Sequence, residues 1–318
     1  MSTSQYRAGT PPAKSALTFR NVLFATDFSG ACDNAWWYAL ALARHYHSKL
    51  FLAHVISPAV YALVPPELLG EARNRSRLET QAQMARLQRR RGGTAGLESE
   101  ALLREGDIAS SLLRLVSEYN IDLLVVATRG HRHLKRLLLG SVAEKLFRQA
   151  SCPVLVVPEQ ARMSAAQALG IHRIVCPIDF SPASSAVLIF AIQLALEYGA
   201  ELILAHVAAG PALNSVQQMN RFMESIKDRL RRLLSDPHGL ASEPRYEVRF
   251  GAAAEGIFRI AVEYRSDLTV VGAHSAGPAQ AHEYERTAYR VIRLSQCPVF
   301  AIPSPSRKGS NAVKKGQA

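Results

Sequence analysis

The chain has 318 residues, 48% of them hydrophobic and 20% charged, with a formal net charge of +12. That balance is the composition of an ordinary globular protein. No apolar stretch approaches the ~20 residues that a membrane span requires, which argues against a membrane partner.

Residues 1–19 are polar at the start and contain proline, without the apolar core of a secretory signal. A disordered N-terminus and a cytoplasmic location are expected. Residues 21–26 form a continuous apolar run, as in a strand buried on both faces. Ser29 can cap a helix, and Ala35, Tyr38, Ala39, Leu42, Ala43 and Tyr46 follow at helical spacing. Trp36 and Trp37 are adjacent on that helix, so one should pack on the sheet and the other cover an interface. Residues 49–55 read as a second strand, 65–91 as a long charged helix and 98–103 as a third strand. Gly106 and Asp107 start a helix carrying Ile108, Leu112, Leu115, Val116 and Tyr119. Leu123–Ala127 is a fourth strand and a basic loop follows. Ser141 opens a short helix with Val142 and Leu146, and Val154–Val157 is a fifth strand.

Residues 159–170 are rich in Ala and Gln, lack a core pattern and read as a linker. The order then begins again. A strand over 173–178 leads to a helix that ends at Tyr198 with Gly199 as its stop. A strand over 201–207, a helix over 216–234 and the strand Arg245–Phe250 come next. A helix over 255–264, the strand Leu268–Gly272, a helix near 288–294 and the strand Val299–Ile302 complete the copy. Residues 304–318 are a basic Ser/Gly/Lys tail, expected to be disordered. Alternating strands and helices imply parallel pairing with helices on both faces. The fold class is therefore α/β, with two tandem doubly wound five-stranded parallel-sheet domains over 20–158 and 171–303.

The sequence itself repeats. Thr26-Asp27-Phe28-Ser29 returns as Ile178-Asp179-Phe180-Ser181, and Leu52-Ala53-His54-Val55 as Leu204-Ala205-His206-Val207, each 152 positions on. Cys152-Pro153-Val154 returns as Cys297-Pro298-Val299 after 145, so the second copy has a shorter loop. This period is far longer than the ~20–50 residues of a solenoid unit and marks a duplicated domain. Equivalent positions for Cys152 and Cys297 suggest packing, and Cys32 and Cys176 have no spacing partner, so all four read as structural thiols of a reducing compartment.

In an open parallel sheet, ligands bind beyond the carboxyl ends of the strands, where strand order reverses. Asp27 ends the first strand, and Ala127-Thr128-Arg129-Gly130 ends the fourth. Gly130 lets backbone approach an anion without a Cβ. Gly140-Ser141 opens a helix whose free N–H groups carry partial positive charge. Arg129, His131, Arg132, His133, Lys135 and Arg136 make the loop between cationic. These parts suit a polyphosphate cradle, although two glycines also make an ordinary turn and cap. Asp27 can likewise be a ligand acceptor or a helix cap. His54 reads as a core residue bonding to backbone across strand ends, since no second metal ligand lies at a recognised spacing. No base-reading module accompanies the basic runs, so a nucleic-acid partner is not expected.

With its Thr26-Asp27-Phe28-Ser29 turn, His54-Val55, the run from Leu137 to Lys145 that contains Gly140-Ser141-Val142, and Cys152-Pro153-Val154-Leu155-Val156-Val157, the chain resembles the universal stress protein family in its tandem form. The resemblance implies a Rossmann-like, adenine nucleotide alpha hydrolase-like domain with strand order 3-2-1-4-5. It implies an adenine nucleotide, ATP or else ADP or AMP, with or without Mg2+. The family's glycine frame falls on Ala127, Gly130, Gly140 and Ser141, beside Arg129 and Val142, with alanine where the first glycine stands. Its adenine-side contacts fall on Ala25, Thr26, Asp27 and Val55. In the second copy the same frame falls on Gly272, Ser275, Glu285 and Arg286, so that site reads as degenerate. Universal stress proteins pair through the last strand, which implies that the two copies form an intramolecular pseudo-dimer, with a homodimer of the whole chain left open.

The implied role is a stress-response regulator that works through an unidentified protein partner, with slow ATP hydrolysis at most. A partner-binding module with no nucleotide is the alternative. An adenylyl-type transferase is a third reading, weakened because His131-Arg132-His133 has the wrong spacing and no Walker lysine is present.

Overall fold

The computed structural model describes residues 17–90, 93–128, 140–161, 169–210, 215–234, 239–273 and 281–303, with the backbone alone for 281–286. Arg129, Gly130 and the rest of the basic loop to 139, most of the linker, Ser275 and both termini lie outside the described residues. The first half runs β1 Asn21–Ala25, α1 Gly30–His45, β2 Lys49–Ile56, α2 Leu69–Arg89, β3 Ser99–Glu105, α3 Ile108–Glu118, β4 Leu123–Ala127, α4 Ser141–Gln149 and β5 Val154–Val157. The second runs β6 Arg173–Pro177, α5 Ser184–Tyr198, β7 Glu201–Ala208, α6 Val216–Leu233, β8 Arg245–Phe250, α7 Ala253–Glu263, β9 Leu268–Gly272, α8 Ala281–Leu294 and β10 Val299–Ile302.

Most boundaries fall within two residues of the expected ones, and two helix starts differ by more. The α2 helix starts at Leu69: Pro66 bars the residue before it from the helical region, so Pro65 is extended with ψ 144°, and the stretch before α2 folds as 3-10 turns over Pro58–Tyr61 and Pro66–Leu68. The α8 helix starts at Ala281, well before residue 288. Gly199 stops α5 with φ 62°, the left-handed conformation that glycine adopts without cost.

All ten strands form one sheet in the order β3-β2-β1-β4-β5-β10-β9-β6-β7-β8. Each half therefore has the order 3-2-1-4-5, parallel throughout, and the halves join where β5 and β10 pair antiparallel, Leu155 opposite Phe300. Composition explains which edges pair. β5 and β10 are short, apolar and fully buried, and such an edge left open would be an aggregation liability. The outer strands β3 and β8 carry Glu100, Arg104 and Glu105, and Arg245, Glu247 and Arg249.

The strand period of two divides the core between the two faces. Val22 and Phe24 of β1 face α1, where Trp36, Leu40 and Leu42 pack, while Leu23 and Ala25 face α3 and α4 with Leu112, Leu115 and Phe147. Trp36 is fully buried against Phe24, ring centroids 5.5 Å apart. Trp37 packs, partly buried, against the same core, and the Arg90 guanidinium lies over its ring at 5.5 Å. The α1 face continues across the junction. Phe300 lies 5.2 Å from Phe190 and 6.5 Å from Phe19. His45 Nε2 meets Glu197 Oε1 at 2.9 Å and stacks on Tyr198. His45 and Glu197 are 152 positions apart, so equivalent positions touch across a pseudo-twofold axis.

Candidate functional site

The site grows from the turn that follows β1. Phe28 sits at φ 61°, a conformation that costs a side-chain-bearing residue ~1–2 kcal/mol. Side chains on either side hold it there. The Thr26 hydroxyl accepts the Phe28 N–H at 2.9 Å, and Asp27 Oδ1 accepts the Ser29 N–H at 3.0 Å. Cys32 donates its thiol to the same carboxylate oxygen at 3.2 Å, and burial, reinforced by the Asp27 charge, pushes the thiol up to about 11. Ser29 holds the N-cap position of α1, but its side chain makes no capping bond. The second copy repeats the device. Phe180 sits at φ 60°, Ser181 donates to Asp179 Oδ1 at 2.8 Å, and the Ser184 hydroxyl takes the place of the thiol. One oxygen of Asp27 is thus committed to architecture.

His54 latches β2 to this turn. Its Nδ1 lies 2.8 Å from the Thr26 carbonyl. A carbonyl only accepts, so Nδ1 carries the proton. Burial lowers the imidazole's pKa and keeps it neutral. His206 makes the same bond to the Ile178 carbonyl at 2.7 Å. The backbone role expected for His54 is the one observed, in both copies.

At the carboxyl ends of β1, β2 and β4 lies a pocket of about 540 Å³. It is lined by Ala25, Thr26, Asp27, Val55, Ala127, Gly140, Ser141 and Val142. These are all of the candidate site residues except Arg129 and Gly130, which lie outside the described residues. Four separate stretches of sequence therefore converge on one crevice. The Gly140 N–H is not free, contrary to expectation, because it donates to the Thr128 carbonyl at 2.9 Å and so folds the loop end onto the strand. The first bond inside α4 is Glu144 N–H to the Gly140 carbonyl at 3.0 Å. The N–H groups of Ser141, Val142 and Ala143 are then the donors that α4 presents, with the helix dipole behind them. Ala127 is extended, and its methyl packs against the α1-side core, so this position needs no glycine. Lys145 of α4 is not aimed at the pocket. Its ammonium holds Asp107 Oδ1 and the Ser110 hydroxyl of α3, each at 3.0 Å. Asp107, the N-cap of α3, is held well below the usual carboxylate range by its bonds to Ser110 and Lys145.

Sequence reasoning missed the rest of the lining. Ile108 and Leu112 of α3 form an apolar wall, and Ser57, Val60, Ser76 and Thr80 close the other side. The helical spacing of Ile108 and Leu112 was visible; that the end of their stripe overhangs the sheet was not. Among the described residues no three His, Cys, Asp or Glu side chains converge to hold a metal ion.

The second copy differs at the same place. Val207, the counterpart of Val55, lies against α7 so closely that a Cβ on Gly256 would come within 2.7 Å of it. A Cβ on Gly272 would lie 3.3 Å from Val187, which stands where the first copy has Ala35. Gly272 thus serves packing. Because α8 already begins at Ala281, Glu285 and Arg286 fall inside the helix rather than at its start.

A family model described as the universal stress protein family matches residues 18–158 and 170–303. A universal stress protein of Mycolicibacterium smegmatis is 25% identical over 300 residues, which is 90% of this chain and 98% of that one. Universal stress protein YxiE of Bacillus subtilis is 29% identical over 147 residues, 44% of this chain and 99% of its own length. Among solved structures, a universal stress protein from Archaeoglobus fulgidus superposes with a TM-score of 0.62 at 20% identity, covering 90% of this chain and 97% of its own.

Proposed function

This chain belongs to the universal stress protein family, and on that premise we propose that its first half, 20–158, binds one adenine nucleotide, ATP in the first instance, and that the chain acts as a cytoplasmic stress-response regulator. The observation that carries the reading is the convergence of Ala25, Thr26, Asp27, Val55, Ala127, Gly140, Ser141 and Val142 on one pocket of about 540 Å³. That size lies within the ~300–1,000 Å³ of small-molecule sites. The ends of β1 and β2 supply the slot for the base and ribose. The α4 N-terminus supplies backbone donors for phosphate. A Mg2+ ion would arrive on the phosphates, since the described side chains offer no cage of their own.

The second half, 171–303, is the partner-facing, nucleotide-free counterpart in this reading. The contact of Val207 with Gly256 and the continuous helix through 285–286 favour that division. β5 and β10 join the two halves in one sheet, the route by which occupancy of the first reaches a protein bound to the second. The same departures in the second copy favour one other reading, a partner-interaction module that binds no nucleotide at all. Mass spectrometry of small molecules released from the purified full chain on denaturation separates the two. An adenine nucleotide approaching one per chain is expected; a chain that releases none and takes up none on addition of ATP refutes the proposal.

A further inference from the structure

A second concavity lies beside the nucleotide pocket, and no element of the proposed function uses it. It is a groove of about 740 Å³ between the first turn of α1 and the C-terminal half of α2, with Thr26 and Phe28 at its base. Thr26 and Cys32 line both cavities, so the β1 turn is the wall between them. The α2 helix runs over both: Ser76 and Thr80 face the nucleotide pocket, and residues from Ala82 to Arg90 face the groove.

We propose that this groove is a ligand site for a small amphiphilic anion, an apolar or aromatic body carrying a phosphate, sulfonate or carboxylate. Three guanidiniums supply the charge. Arg86, Arg89 and Arg90 all line the groove. Spaced three and four apart, they share one side of the helix, where like charges repel and disfavour the bare arrangement. The helix dipole accounts for cations at a C-terminus, but not for their convergence on a concave surface. Asp33 neutralises one of the three, pairing with Arg90 at 2.5 Å. Among the described residues Arg89 donates only to the Ala85 carbonyl of its own helix. Arg86 makes no hydrogen bond or ion pair among the described residues.

The apolar half of the site comes from Phe28, Leu87, Ala82 and Ala85. Phe28 is held at positive φ with one ring face on His54, centroids 4.7 Å apart. The second copy shows what such a ring attracts. Phe180 carries the Arg229 guanidinium 3.9 Å from its centroid. Among the described residues no cation sits over Phe28, which instead borders open space beneath the arginines. A planar anion there would stack on the ring and meet the guanidiniums, which recognise such groups in pairs of parallel bonds.

The test is independent of the nucleotide reading. The full chain is titrated with 1-naphthyl phosphate, following naphthyl fluorescence, as wild type and as the Arg86→Gln, Arg89→Gln and Ser141→Pro variants. Binding of one probe per chain is expected, weakened roughly tenfold or more by Arg86→Gln, weakened also by Arg89→Gln, and falling with added salt. Ser141→Pro alters only the neighbouring pocket and should leave the affinity within about twofold. Both arginines are exposed, so their removal leaves folding intact, which thermal melts verify. No binding to wild type, binding by both arginine variants as tight as by wild type, or loss of binding in Ser141→Pro would each overturn the proposal.

Discussion

Ser141→Pro is the sharpest probe of the proposed phosphate seat, because the fold tolerates it and a ligand should not. Ser141 is the first residue of α4, where proline is favoured since the N–H has no partner inside the helix. The preceding residue, Gly140, has φ −62° and ψ 141°, the extended conformation that a following proline demands. The substitution should therefore move stability by no more than about 0.5 kcal/mol. It deletes one backbone donor and one hydroxyl from the pocket. A hydrogen bond from N–H to a charged phosphate oxygen contributes ~1.5–3 kcal/mol, so the donor's loss should weaken ATP binding by ~10–150-fold. Ser141→Ala deletes the hydroxyl alone and is the reference. Calorimetric titration of both variants with ATP isolates the N–H as the difference between them. Equal affinity in the two, with unchanged melting temperatures, would show that the Ser141 N–H does not hold phosphate.

Three further outcomes follow from the packing and the charges. Gly272→Ala places a methyl 3.3 Å from Val187 and should cost ~1 kcal/mol or more by overpacking, a cost relieved when Val187→Ala is added; additive urea-denaturation free energies would refute the contact. His54 and His206 have pKa values lowered by burial, so the folded chain binds protons less readily than the unfolded one. Stability should then fall as pH drops through about 6.5 toward the depressed folded values, and His54→Gln with His206→Gln should flatten that slope between about pH 7 and 5.5. An unchanged slope would place the titration elsewhere. Phe300→Ala removes a fully buried ring that Phe19 and Phe190 both approach, at a cost of ~3–5 kcal/mol. Calorimetric melting should shift as one transition, whereas a separate transition at the wild-type temperature would mean that the halves unfold independently.

The sheet was legible because its signals are local. Runs such as Leu123–Ala127 and Val154–Val157 are apolar throughout and bounded by turn residues, so their strands were read to the residue. The duplication exposed the second half by comparison with the first. The helix starts were harder. Pro66 holds Pro65 extended and so delays α2, a restriction that sequence periodicity does not weigh, and nothing before residue 288 shows the apolar spacing that would announce α8 at 281. Within the site, the strand-end residues and Gly140-Ser141 came from the motif. The commitment of the Gly140 N–H to Thr128, and of Asp27 to its own turn, depends on loop geometry that the motif does not encode. Phe28 is the clearest case. Its left-handed backbone and its two ring faces arise from contacts with Thr26, Asp27 and His54, three residues that are individually unremarkable.

The central claim is one adenine nucleotide in the first half and none in the second. Isothermal titration of the full, nucleotide-stripped chain with ATP tests it most directly. The expected result is a single class of site at one per chain, weakened by Ser141→Pro. Two equivalent sites per chain, or no saturable heat at all, would contradict it.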